Sequence, residues 1–324
     1  MATTSVLSLR RSRRGGILTQ TCLLPTIKGP IVGRAEEKCR QARPERTRPA
    51  RGADVPGRPR IAIVGVGVTE VAERISDKSS IRLRVEACRR AVDDAGLPLR
   101  GVDGLVTAEL SEPVDSAANP RHHMELAEIL GLYEKSLCVT APVGGAAPGY
   151  SIELARWALQ SGRCEYVLAV AGKSGRMGGP SGGDAPVNRT SQLSTHYPDY
   201  EWPYGPLVAT FYACLARRHM HLYGTTEDEL ASIPVAFRYH ASLNPAAVRR
   251  GPLTVDDVLR SASVSTPLNA LHCGMINDGA AAFLMTTEER GQELAQTPVF
   301  ILGSGCGSSG YWSGFLAAGD VERG

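Results

Sequence analysis

Residues 137–171 contain a strand, a turn of small residues, a helix and a second strand, and this order constrains the fold more than any other feature. Residues 137–140 (LCVT) and 166–171 (YVLAVA) are short apolar runs typical of buried strands. Residues 151–160 between them have helical spacing, and Gly162 follows as an end signal. Because strands joined through a helix lie parallel in one sheet, the sequence predicts an α/β protein.

The turn of this unit, residues 141–149 (APVGGAAPG), consists almost entirely of small side chains. It places its tip at the start of a helix, where the helix dipole stabilises a thiolate or an oxyanion. An enzyme of this fold would place its reactive group there. The tip of the turn is Val143, Gly144 and Gly145, and we therefore take it as the candidate active site.

A second apolar run, residues 61–69, opens the globular part of the chain and contains Gly65 and Gly67. The two glycines suggest a dinucleotide-binding fingerprint, but position 70 is Glu70 and no helix follows at once, so that interpretation is weak. Residues 298–305 (PVFILGSG) repeat the pattern of this opening run. The repetition predicts that a second structural half begins at residue 298.

Charge divides the chain into unlike parts. Residues 1–59 hold 13 Lys or Arg and 4 Asp or Glu, and many prolines interrupt the second half of this stretch. The composition predicts a basic, disordered extension, followed by a domain at 60–297 and the start of a truncated C-terminal domain at 298–324. Clustered arginines can bind nucleic acid, but a solvated tail without that role is favoured.

Cysteine spacing and hydropathy exclude several classes of protein. No apolar run approaches the roughly 18 to 20 residues of a membrane helix. Eight cysteines are present without a C-x-x-C pair, which predicts neither a structural metal nor a secreted disulfide framework. We expect a cytoplasmic protein, although residues 1–26 loosely match an organellar transit peptide.

The second part of the globule contains a long loop and several helices. Residues 174–205 are rich in Gly, Ser, Pro and Tyr, which predicts a loop that lines a site or an oligomer contact. The pair Thr226 and Glu229 predicts a capping box, in a helix that Pro234 should kink. Residues 277–279 (NDG) predict a turn before a buried strand at 280–286.

Motifs in a characteristic order across residues 60–324 resemble the thiolase superfamily, in its lipid-transfer-protein branch of sterol-carrier-protein-x and acetyl-CoA acetyltransferase-like proteins. They are Gly65-x-Gly67-x-Thr69, Asp94-Ala95-Gly96-Leu97, Val102-Asp103-Gly104, Gly144-Gly145-Ala146, Arg217-Arg218-His219-Met220, Tyr223-Gly224-Thr225-Thr226 and Asn277-Asp278-Gly279-Ala280-Ala281-Ala282. The resemblance implies two similar α/β halves stacked as αβαβα layers. This chain would supply the N-terminal half and the first strand of the C-terminal half.

Members of this superfamily form or cleave carbon–carbon bonds in acyl-CoA thioesters through a cysteine at the strand–helix turn. In this chain that position falls at Val143 or Gly144, and neither side chain can attack a thioester. The resemblance therefore implies an acyltransferase-family protein that works more plausibly by retro-aldol cleavage, as nucleophile-less members of the branch do on steroid side chains. Its alternative is a non-catalytic thiolase-like subunit, or a truncated product, that binds a partner protein.

Retro-aldol cleavage needs a base for the hydroxyl and stabilisation of an enolate. The backbone N–H groups at Val143, Gly144 and Gly145 would bind the thioester oxygen, and the loop tyrosines Tyr204 and Tyr311 would act as acid and base. Tyr204 has an alternative role as a dimer-contact aromatic. The resemblance further implies a homodimer, or a heteromer with a small partner that carries an OB-like domain, and no cofactor besides the CoA of the substrate.

Four other polar side chains are candidates for contacts with the substrate, and each of them also has a structural interpretation. His272 would hydrogen-bond the thioester or enolate oxygen, or is a structural histidine at a strand end. Arg217 and Arg218 would bind the phosphates of CoA, although a solvated helix face is favoured. Asn277 would contact the substrate, although turn formation is the safer interpretation.

Overall fold

The computed structural model describes residues 6–11, 58–75, 77–108, 122–141, 143–174, 208–275 and 277–305. The strands are β1 Val6–Arg11, β2 Ile61–Val68, β3 Gly104–Ala108, β4 Leu137–Ala141, β5 Val167–Lys173, β6 Ser263–Ser265, β7 Leu268–Asn269, β8 Gly279–Thr287 and β9 Val299–Gly305. The α-helices are α1 Ser80–Ala95, α2 His122–Ile129, α3 Ala147–Gln160, α4 Val208–Tyr223, α5 Glu227–Ser242, α6 Val255–Arg260 and α7 Glu288–Gly291.

Seven of these strands form one mixed sheet in the order β1-β9-β2-β8-β5-β3-β4. The strand β3 pairs in parallel with β4 and with β5, and β8 pairs antiparallel with β2 and β5. The unit of β4, α3 and β5 is therefore the parallel unit that the sequence predicts, with β3 inserted between its two strands.

Helices cover both faces of this sheet. On one face α1 packs on β2, β8 and β5, and α2 packs on β3 and β4. On the other face α3 packs on β5, β3 and β4. Each face has its own apolar core: Leu83, Leu105 and Leu126 are buried under α1 and α2, whereas Val106 and Leu159 are buried under α3. The described residues thus form three layers, α, β and α.

The glycines of β2 allow α1 to approach the sheet closely. A Cβ atom at Gly65 would lie 2.1 Å from the carbonyl oxygen of Ala91, and one at Gly67 would lie 2.0 Å from that of Ala87. Both distances are far inside van der Waals contact, so any side chain would displace the helix. The Gly-x-Gly pattern of β2 is explained by this packing, and no dinucleotide site is needed to account for it.

Helix α5 packs on α6, whereas α4 contacts β6 and α6 contacts β7 of the short β6–β7 hairpin. The predicted capping box is present at the start of α5, where Glu229 N donates to Thr226 Oγ1 over 3.2 Å and Thr226 N donates to Glu229 Oε2 over 2.9 Å. The helix contains Pro234 and continues beyond it to Ser242. An exposed ion pair joins Arg249, after α5, to Glu73 after β2, with 3.1 Å between Nη2 and Oε1.

Some boundaries differ from the sequence predictions. The stretch 1–59 was expected to lack structure, yet Val6–Arg11 forms a strand antiparallel to β9. The last helix, expected to reach about residue 295, ends at Gly291. The strand β9 lies at the place where a second half was expected to begin, and it pairs with β2 in the same sheet. Across the described ranges, no helix is both long and apolar enough to cross a membrane.

Candidate active site

The carboxyl ends of four strands meet at one edge of the sheet. The strands β2, β3, β4 and β5 run in one direction, because β3 is parallel to its neighbours and β8 is antiparallel to both β2 and β5. The same edge receives the start of β8. This arrangement brings the turn after β4 and the segment before β8 to the same edge, which is where open α/β sheets bind ligands.

The bend between β4 and α3 holds the three residues predicted from sequence. After Ala141 the chain reaches Val143 and forms a single 3₁₀ turn, Gly144–Ala146, in which Ala146 N donates to Val143 O over 3.3 Å. Helix α3 then starts at Ala147, with a proline in its first turn and no side chain that caps it. Val143 is half-buried and Gly145 is exposed. The positive end of the dipole of this 14-residue helix therefore lies at the bend.

The two cysteines nearest in sequence lie away from the bend. Cys138 belongs to β4, where it pairs with Leu105, and Cys164 lies before β5 at the opposite edge of the sheet. Burial raises the pKa of the Cys138 thiol, against a smaller opposing effect of Lys135. Burial, with a smaller contribution from Asp103, raises the pKa of Cys164 to about 11. Both are neutral thiols at physiological pH, and neither is a nucleophile for this bend.

Helix α1 contributes two polar side chains to the carboxyl edge. Arg84 is 2% exposed and donates to Gly172 O over 2.8 Å and to Ala108 O over 2.9 Å, so it ties the ends of β5 and β3 together. Ser80 Oγ accepts a hydrogen bond of 2.8 Å from Ser174 N. These contacts fix the edge around which a substrate would bind.

The segment before β8 is more than the free turn that the sequence suggests. Asp278 is 1% exposed, and its Oδ2 accepts a hydrogen bond of 2.6 Å from Ile75 N. It also forms a β-bridge with Ala72. The neighbouring Asn277 is half-buried, and within the described residues its Oδ1 is buried without a hydrogen-bond partner. Asp278 has a structural role, whereas the side-chain oxygen of Asn277 has no partner among the described residues.

His272 lies at the end of a 3₁₀ turn, Ala270–His272, after β7. Its Nδ1 accepts a hydrogen bond of 3.0 Å from Asn269 N, and burial lowers its pKa more than this contact and Glu227 raise it. The ring is then neutral with its proton on Nε2, an atom that is buried and unpaired within the described part of the chain. His272 can therefore donate a hydrogen bond to an oxygen, and no hydrogen bond joins it to the described residues of the bend.

The remaining predicted residues are separate from the bend or lie outside the described residues. Arg217 is exposed and Arg218 is half-buried, both on α4. Exposure of Arg217 agrees with the favoured alternative of a solvated helix face. Tyr204 and Tyr311 lie outside the described residues, as do residues 175–205 of the predicted loop. No cluster of three or more His, Cys, Asp or Glu side chains within the described ranges could hold a metal ion.

Sequence reasoning missed a polar network on the α2 side of the same edge. Thr107 Oγ1 lies 3.1 Å from His122 Nε2 and 3.2 Å from Thr140 Oγ1. Thr140 Oγ1 lies 3.1 Å from His123 Nδ1. The sequence does contain a signal, since each threonine is the penultimate residue of its strand and the histidines are adjacent. That signal becomes informative only when Thr107 and Thr140 are known to be paired in register.

Comparisons with known proteins agree with the resemblance predicted from the sequence. No protein-family model matches the sequence. The chain is 32% identical over 252 residues to 17-hydroxy-3-oxo-4-pregnene-20-carboxyl-CoA lyase of Mycobacterium tuberculosis, covering 76% of this chain and 63% of the lyase. It is 32% identical over 254 residues to the steroid side-chain-cleaving aldolase of Thermomonospora curvata, covering 76% and 62% respectively. Sterol carrier protein 2 of Gallus gallus is 26% identical over 238 residues, which cover 71% of this chain and 42% of that protein.

Solved structures give the fold. The Ltp2-ChsH2(DUF35) aldolase matches with a TM-score of 0.64 and 29% identity, over 79% of this chain and 64% of that chain. Human mitochondrial 3-ketoacyl-CoA thiolase in complex with CoA matches with a TM-score of 0.53 and 14% identity, over 74% and 68%. The chain is similar in sequence to thiolase-like proteins and shares the fold of the thiolase superfamily. The predicted α/β fold class and the predicted resemblance are confirmed, and the matched region spans less than two thirds of the lyase and of the aldolase.

Proposed function

We propose that this thiolase-like chain takes part in retro-aldol cleavage of a β-hydroxyacyl-CoA thioester, with a steroid side chain as the substrate class. One observation carries the proposal. The bend at the start of α3 offers backbone N–H groups and no nucleophilic side chain, in a chain whose relatives include a steroid side-chain-cleaving aldolase. An acyl-enzyme cannot form at Val143, Gly144 or Gly145, whereas retro-aldol chemistry does not need one.

The reaction breaks the bond between the carbon that bears the hydroxyl and the carbon next to the thioester. The hydroxyl proton leaves to a base, the oxygen becomes a ketone, and the electron pair of the broken bond moves into the thioester enolate. The enolate then takes a proton at carbon. With a 17-hydroxy-20-carboxyl-CoA substrate, the products are a 17-ketosteroid and propionyl-CoA. The protein must therefore hold one negative oxygen and move one proton.

Two features of the chain support oxyanion binding. No side chain caps the start of α3, and the dipole of this 14-residue helix favours negative charge at the bend. His272, neutral and protonated at Nε2, is the second donor that we propose. Asn277 supplies a further polar group at the same edge. Arg217 and Arg218 are proposed contacts of the CoA phosphates.

The acid and base that we propose are Tyr204 and Tyr311. For the partner, we propose a small protein related to the DUF35 component of the Ltp2-ChsH2(DUF35) aldolase. We also propose a cytoplasmic homodimer or heteromer that uses no cofactor other than the CoA of its substrate.

The test is a product assay on the chain alone and together with a DUF35 partner. Each preparation receives 17-hydroxy-3-oxo-4-pregnene-20-carboxyl-CoA, and propionyl-CoA and the 17-ketosteroid are measured by mass spectrometry. We expect equal amounts of the two products, and loss of about 100-fold or more in rate for Tyr204→Phe or Tyr311→Phe if that tyrosine transfers the proton.

A parallel assay separates the alternatives. Acetoacetyl-CoA with free CoA yields acetyl-CoA only if acyl transfer occurs, and this result would contradict the proposal. Absence of both products with every partner combination would instead favour the non-catalytic subunit. Tyr133→Phe, at an exposed site, is the matched control for the tyrosine substitutions and should leave the rate unchanged.

A further inference from the structure

Four side chains form a continuous hydrogen-bonded line between a half-exposed and a buried histidine. The line runs from His123 Nδ1 to Thr140 Oγ1 over 3.1 Å, on to Thr107 Oγ1 over 3.2 Å, and from there to His122 Nε2 over 3.1 Å. His122 is 7% exposed and Thr107 is fully buried. A direct contact of 3.5 Å between Thr140 Oγ1 and His122 Nε2 also exists.

A hydroxyl group donates one hydrogen bond and accepts others, so the line has two internally consistent orders. In the first, His123 Nδ1–H donates to Thr140, Thr140 donates to Thr107, and Thr107 donates to His122 Nε2. In the second, every bond is reversed. Each threonine carries one hydroxyl proton in both orders. A switch from the first order to the second therefore moves one proton from His123 to His122.

The line ends close to the candidate active site. Thr140 is three residues before Val143, a separation of at most about 10 Å along the chain. Thr107 is followed by Ala108, which packs with Ala141 and Ala147 beneath the bend. His123 is the end of the line that solvent and a ligand can reach.

We propose that His123, Thr140, Thr107 and His122 form a proton relay that stores one proton between the two halves of the cleavage. This inference rests on the proposed function, in which a proton leaves the hydroxyl first and returns to the enolate later. A proton arrives at His123 Nε2, and the Nδ1 proton of His123 passes to Thr140. Thr140 passes its own proton to Thr107, and Thr107 passes its own to His122 Nε2, which becomes an imidazolium. The reverse sequence returns the proton.

Several charged and titratable groups lie near this line. Burial lowers the pKa of His123, and the positive charge of Lys135 lowers it further, so its ring favours the neutral form with a single ring proton. Glu125 lies on the same helix. On β4, Cys138 is a thiol whose Sγ contacts His123 O at 3.5 Å, and on α1 the guanidinium of Arg84 binds Ala108 O. Of these groups, Lys135 shifts the pKa of His123, and the coupling between the two histidines runs through the threonine hydroxyls.

Histidine titration by nuclear magnetic resonance tests the coupling without any substrate. The full chain, which has seven histidines, is labelled with ¹⁵N-histidine, and the ring nitrogens are followed against pH. We expect His122 and His123 to titrate in linked steps, and Thr140→Val to shift the titration of His123 by about one pH unit. Thr140→Ser keeps the hydroxyl and should restore the linked curves.

Two further variants keep the experiment decisive. Thr286→Val is the matched control, because this buried hydroxyl in β8 donates to Glu165 O over 2.7 Å, outside the network, and it should leave both curves unchanged. If Thr140→Val fails to fold, Thr107→Val removes the other hydroxyl and leaves only the 3.5 Å contact between Thr140 Oγ1 and His122 Nε2, so the linkage between the two histidines should weaken. Identical curves in the wild type and in a folded threonine-to-valine variant would overturn the relay.

Activity then distinguishes the relay from the proposed function. With the steroid thioester, Thr140→Val should lower kcat at least about 10-fold with KM unchanged, and Thr140→Ser should recover it. An active wild type with an equally active Thr140→Val variant would overturn the relay and leave the proposed function standing. Linked histidine titration in a chain that releases no propionyl-CoA, alone or with its partner, would overturn the proposed function instead.

Discussion

The bend between β4 and α3 should stabilise a negative charge, and a single substitution tests this. Val143 stands before the uncapped start of α3, where the helix dipole would stabilise a thiolate. We expect Val143→Cys to introduce a thiol with a pKa below the ordinary 8.5 or so. The pH dependence of its alkylation by iodoacetamide, followed by peptide mass spectrometry, gives this value.

The native Cys138 is the internal control for that measurement. It lies five positions earlier in the same segment, and burial raises its pKa. Its alkylation should rise at higher pH than that of the introduced thiol. Titration of the introduced thiol together with Cys138, or above it, would contradict the proposal that this bend stabilises an anion.

At the residue scale, the sequence predicted the bend and missed the network beside it. Val143, Gly144 and Gly145 could be located because small residues between a strand and a helix form a local pattern. Thr107 and Thr140 are 33 positions apart, and they meet only through the parallel register of β3 and β4. That register depends on the packing of the whole sheet, so no local pattern contains it.

At the scale of elements, the contact between α1 and β2 depends on glycine. We expect Gly67→Ala to lower the free energy of unfolding by about 3 kcal/mol, because its Cβ would lie 2.0 Å from Ala87 O and α1 must move away from the sheet. Urea denaturation measures the loss. Gly251→Ala is the matched control: no atom lies within 4 Å of its added Cβ, and the change should stay within about 0.5 kcal/mol. Equal effects of the two substitutions would contradict the close-packing account of Gly67.

Element prediction succeeded where a helix or strand carries its own end signals. Thr226 and Glu229 form the predicted capping box at the start of α5. The start of α3 was predicted four residues late, since Ala147 and Pro148 belong to the helix and the first turn of a helix tolerates proline. The helix after β8 ends at Gly291, where a Cβ would lie 3.0 Å from Val64 Cγ1. That contact across the fold is invisible in the local sequence.

At the scale of the whole molecule, the order of motifs was more informative than any one of them. Each short string, such as Asn277-Asp278-Gly279, has an ordinary explanation as turn chemistry or packing. Their order along residues 60–324 nevertheless predicted the thiolase fold that the solved structures share. The motif order leaves the choice between homodimer and heteromer open, because that choice depends on surfaces formed by residues far apart in the sequence.

The whole chain also exposes a set of apolar side chains at α5 that should govern its behaviour in solution. Phe237 is 74% exposed, Leu243 is 66% exposed and Ile233 is 54% exposed. Adjacent exposed side chains of this kind bind hydrophobic dyes and promote association. We expect the double substitution Phe237→Ser with Leu243→Ser to lower both the fluorescence of anilinonaphthalene sulfonate and the self-associated fraction in light scattering.

The cost of these changes to folding should be small. Both side chains already face solvent, so the free energy of unfolding should change by no more than about 0.5 kcal/mol each. Leu168→Ser, at a fully buried position in β5, is the contrasting variant and should destabilise the chain strongly without lowering dye binding. If the folded double variant keeps the same fluorescence and the same associated fraction, Phe237 and Leu243 do not contact the dye or a second molecule. Another surface then controls association.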